Sequence, residues 1–463
     1  RARSTRSPAA TEWSGRELTV RVDPARGITH VALDLDGSFF SETSVDADGV
    51  ARFDFPFEPC GRDEVVALAR AGRDGLPIGD APLPLRFDRC DAFADALVPF
   101  GVDCAASEVA IVVPVYGAPA LVERCLDSVL AHTTGRARLI VIDDASPDDA
   151  IAPLLARYET RANISLLRNE RNRGFTATAN RGIAEAGRAD VVLLNADTEV
   201  GPNWLTGLRR AAASAGDVAT VTAVSDNAGA FSVPELEREN PAPSRWTFED
   251  TARALWLDAG HAYPALPTGN GFCMYIRRTV IDAVGTLDEA AFPQGYGEEN
   301  DFCQRASARG LRHLIAGNVY VHHARSASFG HDRRAQLGAT GMQVLRERWP
   351  NYEADVAATL HSYERRVLDW RVRRIFATAG ADVPQPLVLA IDAASPFDEG
   401  RAWDSWQADA IETIVVNGKC PEKLARVATM LGIPFAQRAT GESVASCVAR
   451  AIAAARSFAE VAW

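Results

Sequence analysis

From residue 109 onward the chain alternates fully apolar runs with helical stretches. The runs "VAIVVPVY", "RLIVIDD", "ISLLRN" and "VVLLNAD" each end in polar residues, and helical segments such as 121–131 lie between them. A strand apolar on both faces has to be covered on both, so the pattern predicts a parallel sheet with crossover helices on either side. In such sheets ligands bind beyond the carboxyl ends of the strands. Tyr116, Asp143, Asp144, Asn195 and Asp197 all fall at those ends and are expected to converge on one crevice.

Upstream the period is different. Between 17 and 87 the short runs "ELTVRV", "HVALDLD", "VARFDFPF" and "EVVALAR" alternate in polarity and are divided by Asp, Gly and Pro clusters. This predicts a small antiparallel β-sandwich. Its role is read either as a spacer and packing module or as a carbohydrate-binding one, because a fold alone does not give a function.

Downstream, the strand and helix rhythm weakens between 221 and 266, where Pro234, Pro241 and Pro243 punctuate a polar stretch. A mobile loop or excursion beside the crevice is expected there. "GFCMYIRR" reads as another strand, 299–309 as a short helix closed by Gly310, and "HLIAGNVYVHH" as strands returning to the site. Residues 332–379 read as mostly helical, with Pro350 ending one helix. In the last segment "ARAIAAARSFAEVAW" mirrors the earlier "NRGIAEAGRADVVLL", and strand, polar turn, helix, strand and Ala-rich helix recur in order. The chain is expected to end inside a second, non-catalytic copy of the α/β unit, with Asn417 and Gly418 in place of Asp143 and Asp144. A generic αβ appendage is the alternative. The expected domains are thus 1–90 (β-sandwich-like), 91–107 (connecting), 108–335 (α/β), 336–385 (helical extension) and 386–463 (partial repeat).

Composition narrows the classes. With 463 residues, 47% hydrophobic and 24% charged, the chain suits a globular protein of several domains. A net charge of -12 argues against nonspecific grip on nucleic acid or an anionic membrane, and Arg1, Arg3 and Arg6 are too few to change this. No apolar stretch is long enough to span a bilayer, so any membrane association is expected to be peripheral. The missing initiator Met and signal-peptide pattern suggest a piece excised from a longer protein. The eight cysteines form no CxxC pair and read as buried thiols of a reducing compartment, the cytoplasm.

Polar strand ends have ordinary explanations, and Asp197 by itself would pass for a turn or capping residue. The acidic run after "GYG" would likewise suit the first turn of a helix. Their joint occurrence changes the reading. Asp143 and Asp144 end one strand, Asn195 and Asp197 another, and "GYGEEND" and His322 and His323 follow. One or two carboxylates completed by substrate phosphates are the ligands that Mg²⁺ or Mn²⁺ accepts.

On these motifs, residues from about 109 to 334 resemble a family 2 glycosyltransferase with the GT-A fold, especially the bacterial rhamnosyltransferase-like branch of surface polysaccharide assembly. The resemblance rests on "VVPVYG", "VIDDAS", "NRGFTATANRGI", "NADTEV", "TGNGFCMYIRR", "GYGEENDFCQRASARG" and "VYVHHARSASFG", in that order. It implies that Pro114, Tyr116, Asp143 and Asp144 shape the nucleotide site, with Arg173 and Gly174 beside the diphosphate. Asn195 takes the first position of the family's DxD motif, where an acidic residue is usual. Asp197 and His323 would bind Mn²⁺ or Mg²⁺, His322 being structural. Glu299 would be the catalytic base, with Glu298 as substitute and Asp301 supporting the site. Gly271 and Tyr296 would lie on the acceptor side, and Trp204 either there or in the core; Phe175 reads most simply as core.

The expected reaction is inverting transfer of a sugar from dTDP-rhamnose or a UDP-sugar to a glycan or lipid-linked glycan acceptor at the inner face of the membrane. A glycoside hydrolase would need two carboxylates but no nucleotide-binding strand ends. A glycan-binding or scaffolding subunit with a partner doing catalysis is the alternative, opposed by the retained Asp197, Glu299 and His323. "QVLRERW" only approximates the QxxRW motif of processive membrane synthases.

Overall fold

The computed structural model describes residues 11–59, 64–78, 82–87, 108–133, 137–161, 163–260, 263–324, 331–378, 387–392, 411–418 and 435–456. The expected connecting segment, residues 325–330 after His323, and much of the expected C-terminal repeat lie outside them. The described residues fall into two compact units, one within 1–96 and 361–381, the other within 97–360 and 382–463.

The first unit holds strands β1 (Thr11–Trp13), β2 (Glu17–Arg21), β3 (His30–Leu35), β4 (Ser38–Ser44), β5 (Val50–Asp54), β6 (Glu64–Arg70) and β7 (Leu83–Arg86). They form two antiparallel sheets, ordered β1-β2-β5 and β4-β3-β6-β7. Alternation decides which side chains turn inward. In β6, Val65 and Ala67 are buried while Glu64 and Val66 face out. Leu18, Val20 and Phe53 of one sheet meet Leu33, Leu35 and Val65 of the other in a single core.

In the second unit the strands are β8 (Val109–Val115), β9 (Ala137–Asp143), β10 (Ile164–Arg168), β11 (Asp190–Leu194), β12 (Thr198–Val200), β13 (Val218–Val224), β14 (Cys273–Ile276) and β15 (Arg312–His323). Their order in one sheet is β10-β9-β8-β11-β14-β13-β15-β12. The four strands β10, β9, β8 and β11 are mutually parallel, as their apolar runs predict. Helices α1 (Pro119–His132), α2 (Ile151–Ala156) and α3 (Phe175–Glu185) connect them. The sheet is not wholly parallel, however. β14 runs against both β11 and β13. It starts from the crevice end, where the Phe272 carbonyl accepts the Asn195 N–H at 2.9 Å, and so brings its amino end to the site.

Past β11 lie α4 (Trp204–Ala213), α5 (Phe248–Asp258), α6 (Arg278–Val284) and α7 (Glu298–Ser307). The region expected to be a loop excursion thus contains β13 and α5. Thr247 and Asp250 form a reciprocal capping box at the start of α5, a local pattern strong enough to begin a helix within a Pro-rich stretch. "HLIAGNVYVHH" is one strand, β15, whose register against β13 shifts between Ala316 and Tyr320. Short β12 pairs with the end of β15, setting Thr198 opposite His323.

Helices α8 (His331–Arg348) and α9 (Tyr352–Leu360) complete this part of the second unit. The next helix, α10 (Tyr363–Thr378), belongs to the first unit, although the sequence placed it in one helical extension with α8 and α9. Tyr363, Val367 and Trp370 form one stripe and enter the sandwich core. The Tyr363 hydroxyl donates to the Phe57 carbonyl at 2.6 Å and the Trp370 indole to that of Leu35 at 2.9 Å.

Near the C-terminus β16 (Leu387–Asp392), β17 (Ile411–Asn417) and β18 (Phe435–Arg438) form a parallel sheet in that order, covered by α11 (Val444–Arg456). The sequential order matches β8-β9-β10, and the register matches at the strand ends. Asp143 stands opposite Arg168, with Arg168 Nη1 3.3 Å from Asp143 Oδ2. Asn417 stands opposite Arg438, with Arg438 Nη1 3.2 Å from Asn417 Oδ1.

Candidate active site

A cavity of about 360 Å³ opens at the carboxyl ends of β8 and β11 and the amino end of β14. Pro114 and Tyr116 form one edge, where β8 stops and Gly117 and Ala118 turn into α1 with positive φ. Tyr116 is 40% exposed, an aromatic face presented to the opening.

The two aspartates ending β9 are used differently. Asp143 is buried behind the wall: one oxygen accepts the Ser146 N–H at 2.8 Å and the other faces Arg168. Asp144 is the one that lines the cavity. Its carboxylate accepts from Asn169 Nδ2 at 2.6 Å and from the N–H groups of Arg173 at 2.8 Å and Gly174 at 3.0 Å. Asp144 therefore ties the loop before α3 to the strand ends. Arg173 contributes its backbone to this tie, while its side chain is exposed and not on the cavity wall. Gly174 has φ +83, and a Cβ there would collide with the Pro293 carbonyl oxygen, so the loop of residues 292–297 passes directly over it. The short bond from Thr176 Oγ1 to the Phe292 carbonyl holds that crossing.

On the next wall Asn195 and Asp197 follow β11, and β12 brings Asp197 beside the end of β15. His323 Nε2 lies 3.4 Å from Asp197 Oδ1. The other ring nitrogen, Nδ1, lies 3.1 Å from the Asn227 carbonyl oxygen, which can only accept, so Nδ1 is the donor there and Nε2 is the nitrogen left to face Asp197. The ring stacks on Phe272 at 5.3 Å with its plane tilted by 16°. Asp226 accepts the His323 backbone N–H at 3.0 Å and pairs with His322 Nδ1 at 2.6 Å, which raises the His322 imidazole above its usual range. Burial pushes the Asp226 carboxyl up, but the His322 bond and charge more than reverse it. Asp197 and His323 thus present a carboxylate oxygen and an imidazole lone pair to one point, a donor set that fits a small divalent cation. Among the described residues no group of three His, Cys, Asp or Glu could hold a metal by itself, so the remaining ligands would be substrate oxygens and water.

Opposite stands the acidic pair. Gly295, Tyr296 and Gly297 have φ of 87°, 67° and 148°, and this turn launches α7 with Glu298 and Glu299 at its head. Glu298 is buried and accepts the Gly297 N–H at 3.0 Å. Burial, then the neighbouring Glu299 charge, holds its carboxyl well above the usual range. Burial also raises Glu299, though the Glu298 bond and backbone N–H groups including those of Gly297 and Gly271 pull it back. Both carboxyls are thus held above the usual range, Glu298 further than Glu299. Glu299 Oε2 is buried on the cavity wall with no hydrogen-bond partner.

Of the residues expected at the site, Pro114, Tyr116, Asp144, Gly174, Asn195, Asp197, Gly271, Tyr296, Glu298, Glu299 and His323 line this one cavity. Asp143 and Arg173 stand behind it. Trp204 is in the core instead, 1% exposed, with its indole N–H donating to Thr133 Oγ1 at 3.2 Å. Phe175, read from the sequence as core, is half-buried and lines the cavity, with its ring under Gly271 and Gly295. Asn270 and Gln294 also line it. Both sit beside glycines in otherwise apolar or loop segments, the one sequence feature that marks them.

Residues 110–284 match the family model described as Glycosyl transferase family 2. That segment of the chain is similar to family 2 glycosyl transferases. The mixed sheet, with the crevice at the ends of β8 and β11, is of the GT-A type. The chain is 24% identical over 310 residues, 62% of its length, to the uncharacterized protein y4gI of Sinorhizobium fredii (strain NBRC 101917 / NGR234). It is 30% identical over 98 residues, 21% of its length, to the uncharacterized glycosyltransferase YibD of Escherichia coli (strain K12). These matches span 31% and 28% of the relatives' own lengths, about a third of each. Among solved structures, the mannosyltransferase PcManGT from Pyrobaculum calidifontis in complex with GDP-Man and Mn²⁺ aligns over 70% of this chain and 87% of its own. That alignment has a TM-score of 0.40 and 17% identity. Among the described residues no helix is long and apolar enough to cross a membrane.

Proposed function

We propose that the protein is a glycosyltransferase that moves a sugar, with inversion, from a nucleotide-sugar donor such as dTDP-rhamnose or a UDP-sugar to a hydroxyl of a growing bacterial surface glycan. The work would take place on the cytoplasmic face of the membrane, on a glycan or lipid-linked acceptor. The observation that carries the reading is the unpartnered Glu299 Oε2 in the cavity that also holds the Asp197 and His323 pair.

An acceptor hydroxyl is a weak nucleophile until its proton has somewhere to go. Glu299 takes that proton as the hydroxyl oxygen bonds to the anomeric carbon. The bond from that carbon to the diphosphate oxygen breaks, and its electron pair leaves with the nucleoside diphosphate. Attack from the face opposite the leaving group inverts the centre. Tyr116 offers a stacking face for the base, while Asp144 holds the loop of Arg173 and Gly174 against the donor side. Asp197 and His323 would hold Mn²⁺ or Mg²⁺, which supplies charge neutralisation to the departing diphosphate.

Donor hydrolysis across a panel of nucleotide sugars, with Mn²⁺, Mg²⁺ or EDTA, tests this in the wild type and Asp197→Ala. Metal-dependent release of one nucleoside diphosphate, lost in the variant, is the expected result. Nucleotide binding without turnover, in the presence of acceptor glycans, would favour a glycan-binding or scaffolding subunit instead.

The matching strand order and register of β8-β9-β10 and β16-β17-β18 support reading residues 386–463 as a partial copy of the nucleotide-binding half. With Asn417 and Gly418 at the place of Asp143 and Asp144, that copy lacks the carboxylate that ties the loop in the first and is not catalytic.

A further inference from the structure

Behind the carboxylate pair, a second set of contacts joins the first turn of α7 to the helices that follow β15. Asp301 is 1% exposed and is contacted from three sides. Arg305 Nε of its own helix lies 2.8 Å away, while Arg348 Nη1 at 3.1 Å and the Trp349 indole N–H at 3.0 Å reach it from the end of α8. Next to it, Asn300 Nδ2 bonds Thr268 Oγ1 and the Tyr352 hydroxyl, each at 2.6 Å. Trp349 and Tyr352 also pack with Leu345 around Phe292, whose ring lies where a Cβ on Gly297 would come within 2.5 Å. Gly341, in mid-α8, has no room for a Cβ because the Tyr296 carbonyl oxygen occupies that space.

Apart from the packing on Phe292, each of these contacts ends within three residues of Glu298 or Glu299, and none of Gly341, Arg348, Trp349 and Tyr352 lines the cavity. Three consecutive residues with positive φ, one of them a tyrosine, do not hold their geometry unaided; the surroundings must impose it. We infer that Arg348, Trp349 and Tyr352 are positioning residues for sugar transfer, fixing the first turn of α7 through Asp301 and Asn300 and so holding Glu299 on the cavity wall. The inference rests on the reading of Glu299 as the base. It assigns a role to residues well outside the matched segment 110–284.

The test compares wild type, Trp349→Phe, Tyr352→Phe, Asp301→Asn and the double variant Trp349→Phe/Asp301→Asn. Each is measured for kcat, donor KM, nucleoside diphosphate Kd and melting temperature. Trp349→Phe keeps the packing and removes the donor; Tyr352→Phe removes only the hydroxyl, and carries the test if the first fails to fold. Expected are falls in kcat of up to about a hundredfold, the scale of an ångström of misplacement, with unchanged nucleotide Kd. The double variant should be no worse than the poorer single, because Trp349 acts through Asp301. Unchanged kcat in the folded variants overturns the inference, as do losses that add in the double variant or fall equally on nucleotide binding. A wild type that turns over no donor overturns the transferase reading itself.

Discussion

His323 Nε2 faces Asp197 Oδ1 at 3.4 Å, and the Asn227 carbonyl on the far side of the ring accepts from Nδ1, so Nε2 is the nitrogen that can give a lone pair to a cation. Two electron-pair donors aimed at each other are stable neighbours only with a cation or proton between them. Asp197→Ala and His323→Ala are therefore expected to abolish saturable Mn²⁺ binding in titration calorimetry. Asp226→Ala, which frees the His323 backbone N–H, should weaken Mn²⁺ by about ten- to a hundredfold. Wild-type affinity in Asp197→Ala would place the cation elsewhere.

Glu299→Gln is expected to lower kcat by about a hundred- to ten-thousandfold while nucleotide binding persists, since general-base catalysis is lost and the fold is not. Because burial raises the Glu299 carboxyl, the acid limb of kcat/KM against pH should lie above the ordinary carboxylate range. Stability supplies a second readout. Glu298 has its pKa raised in the folded state, so the native protein binds more protons than the unfolded chain between the ordinary glutamate value and the raised one. Its contribution is fully present below the unfolded value and is lost as pH rises through the folded one. The melting temperature of Glu298→Gln should therefore gain on wild type as pH rises from about 4.3. A difference that does not vary with pH would mean that Glu298 is not held protonated.

The parts of this architecture written in local pattern were legible from the sequence. Apolar runs such as that of β8 can only be strands covered on both sides, and polar residues at their ends had to meet. What escaped was decided by contacts between distant residues. Nothing local tells which of Asp143 and Asp144 faces the cavity, because the turn after β9 settles it through Ser146 and Gly174. The stripe Tyr363, Val367 and Trp370 announces an amphipathic helix but not that its partner is the sandwich core hundreds of residues earlier. The antiparallel entry of β14 is likewise invisible in four apolar residues.

Gly174 is a position where backbone and packing demand the same residue. Its φ of +83 disfavours any side chain, and the Pro293 carbonyl fills the place of a Cβ. Gly174→Ala should cost about 1 to 3 kcal/mol from backbone strain, with more added if the loop of residues 292–297 cannot shift. Because that loop carries Tyr296 and leads into Glu298, donor turnover should fall along with stability. Chemical denaturation paired with turnover at a temperature where the variant stays folded separates the two effects. Full activity in a destabilised Gly174→Ala would show that the crossing of the loop over α3 matters to the fold alone.

Trp204 offers the opposite case, a residue whose place after Asp197 invites a role in binding and whose environment denies it. Its indole is buried and donates to Thr133 Oγ1 at 3.2 Å. Trp204→Phe removes that bond and some ring volume, leaving the Thr133 hydroxyl without its donor inside the core. A loss of about 1 kcal/mol is expected from the hydrogen bond, with a further contribution from the smaller ring. The KM for acceptor should not move, since no atom of the indole reaches the cavity wall. Steady-state kinetics with varied acceptor, alongside urea denaturation, decide the matter: a raised acceptor KM at unchanged stability would return Trp204 to the acceptor site.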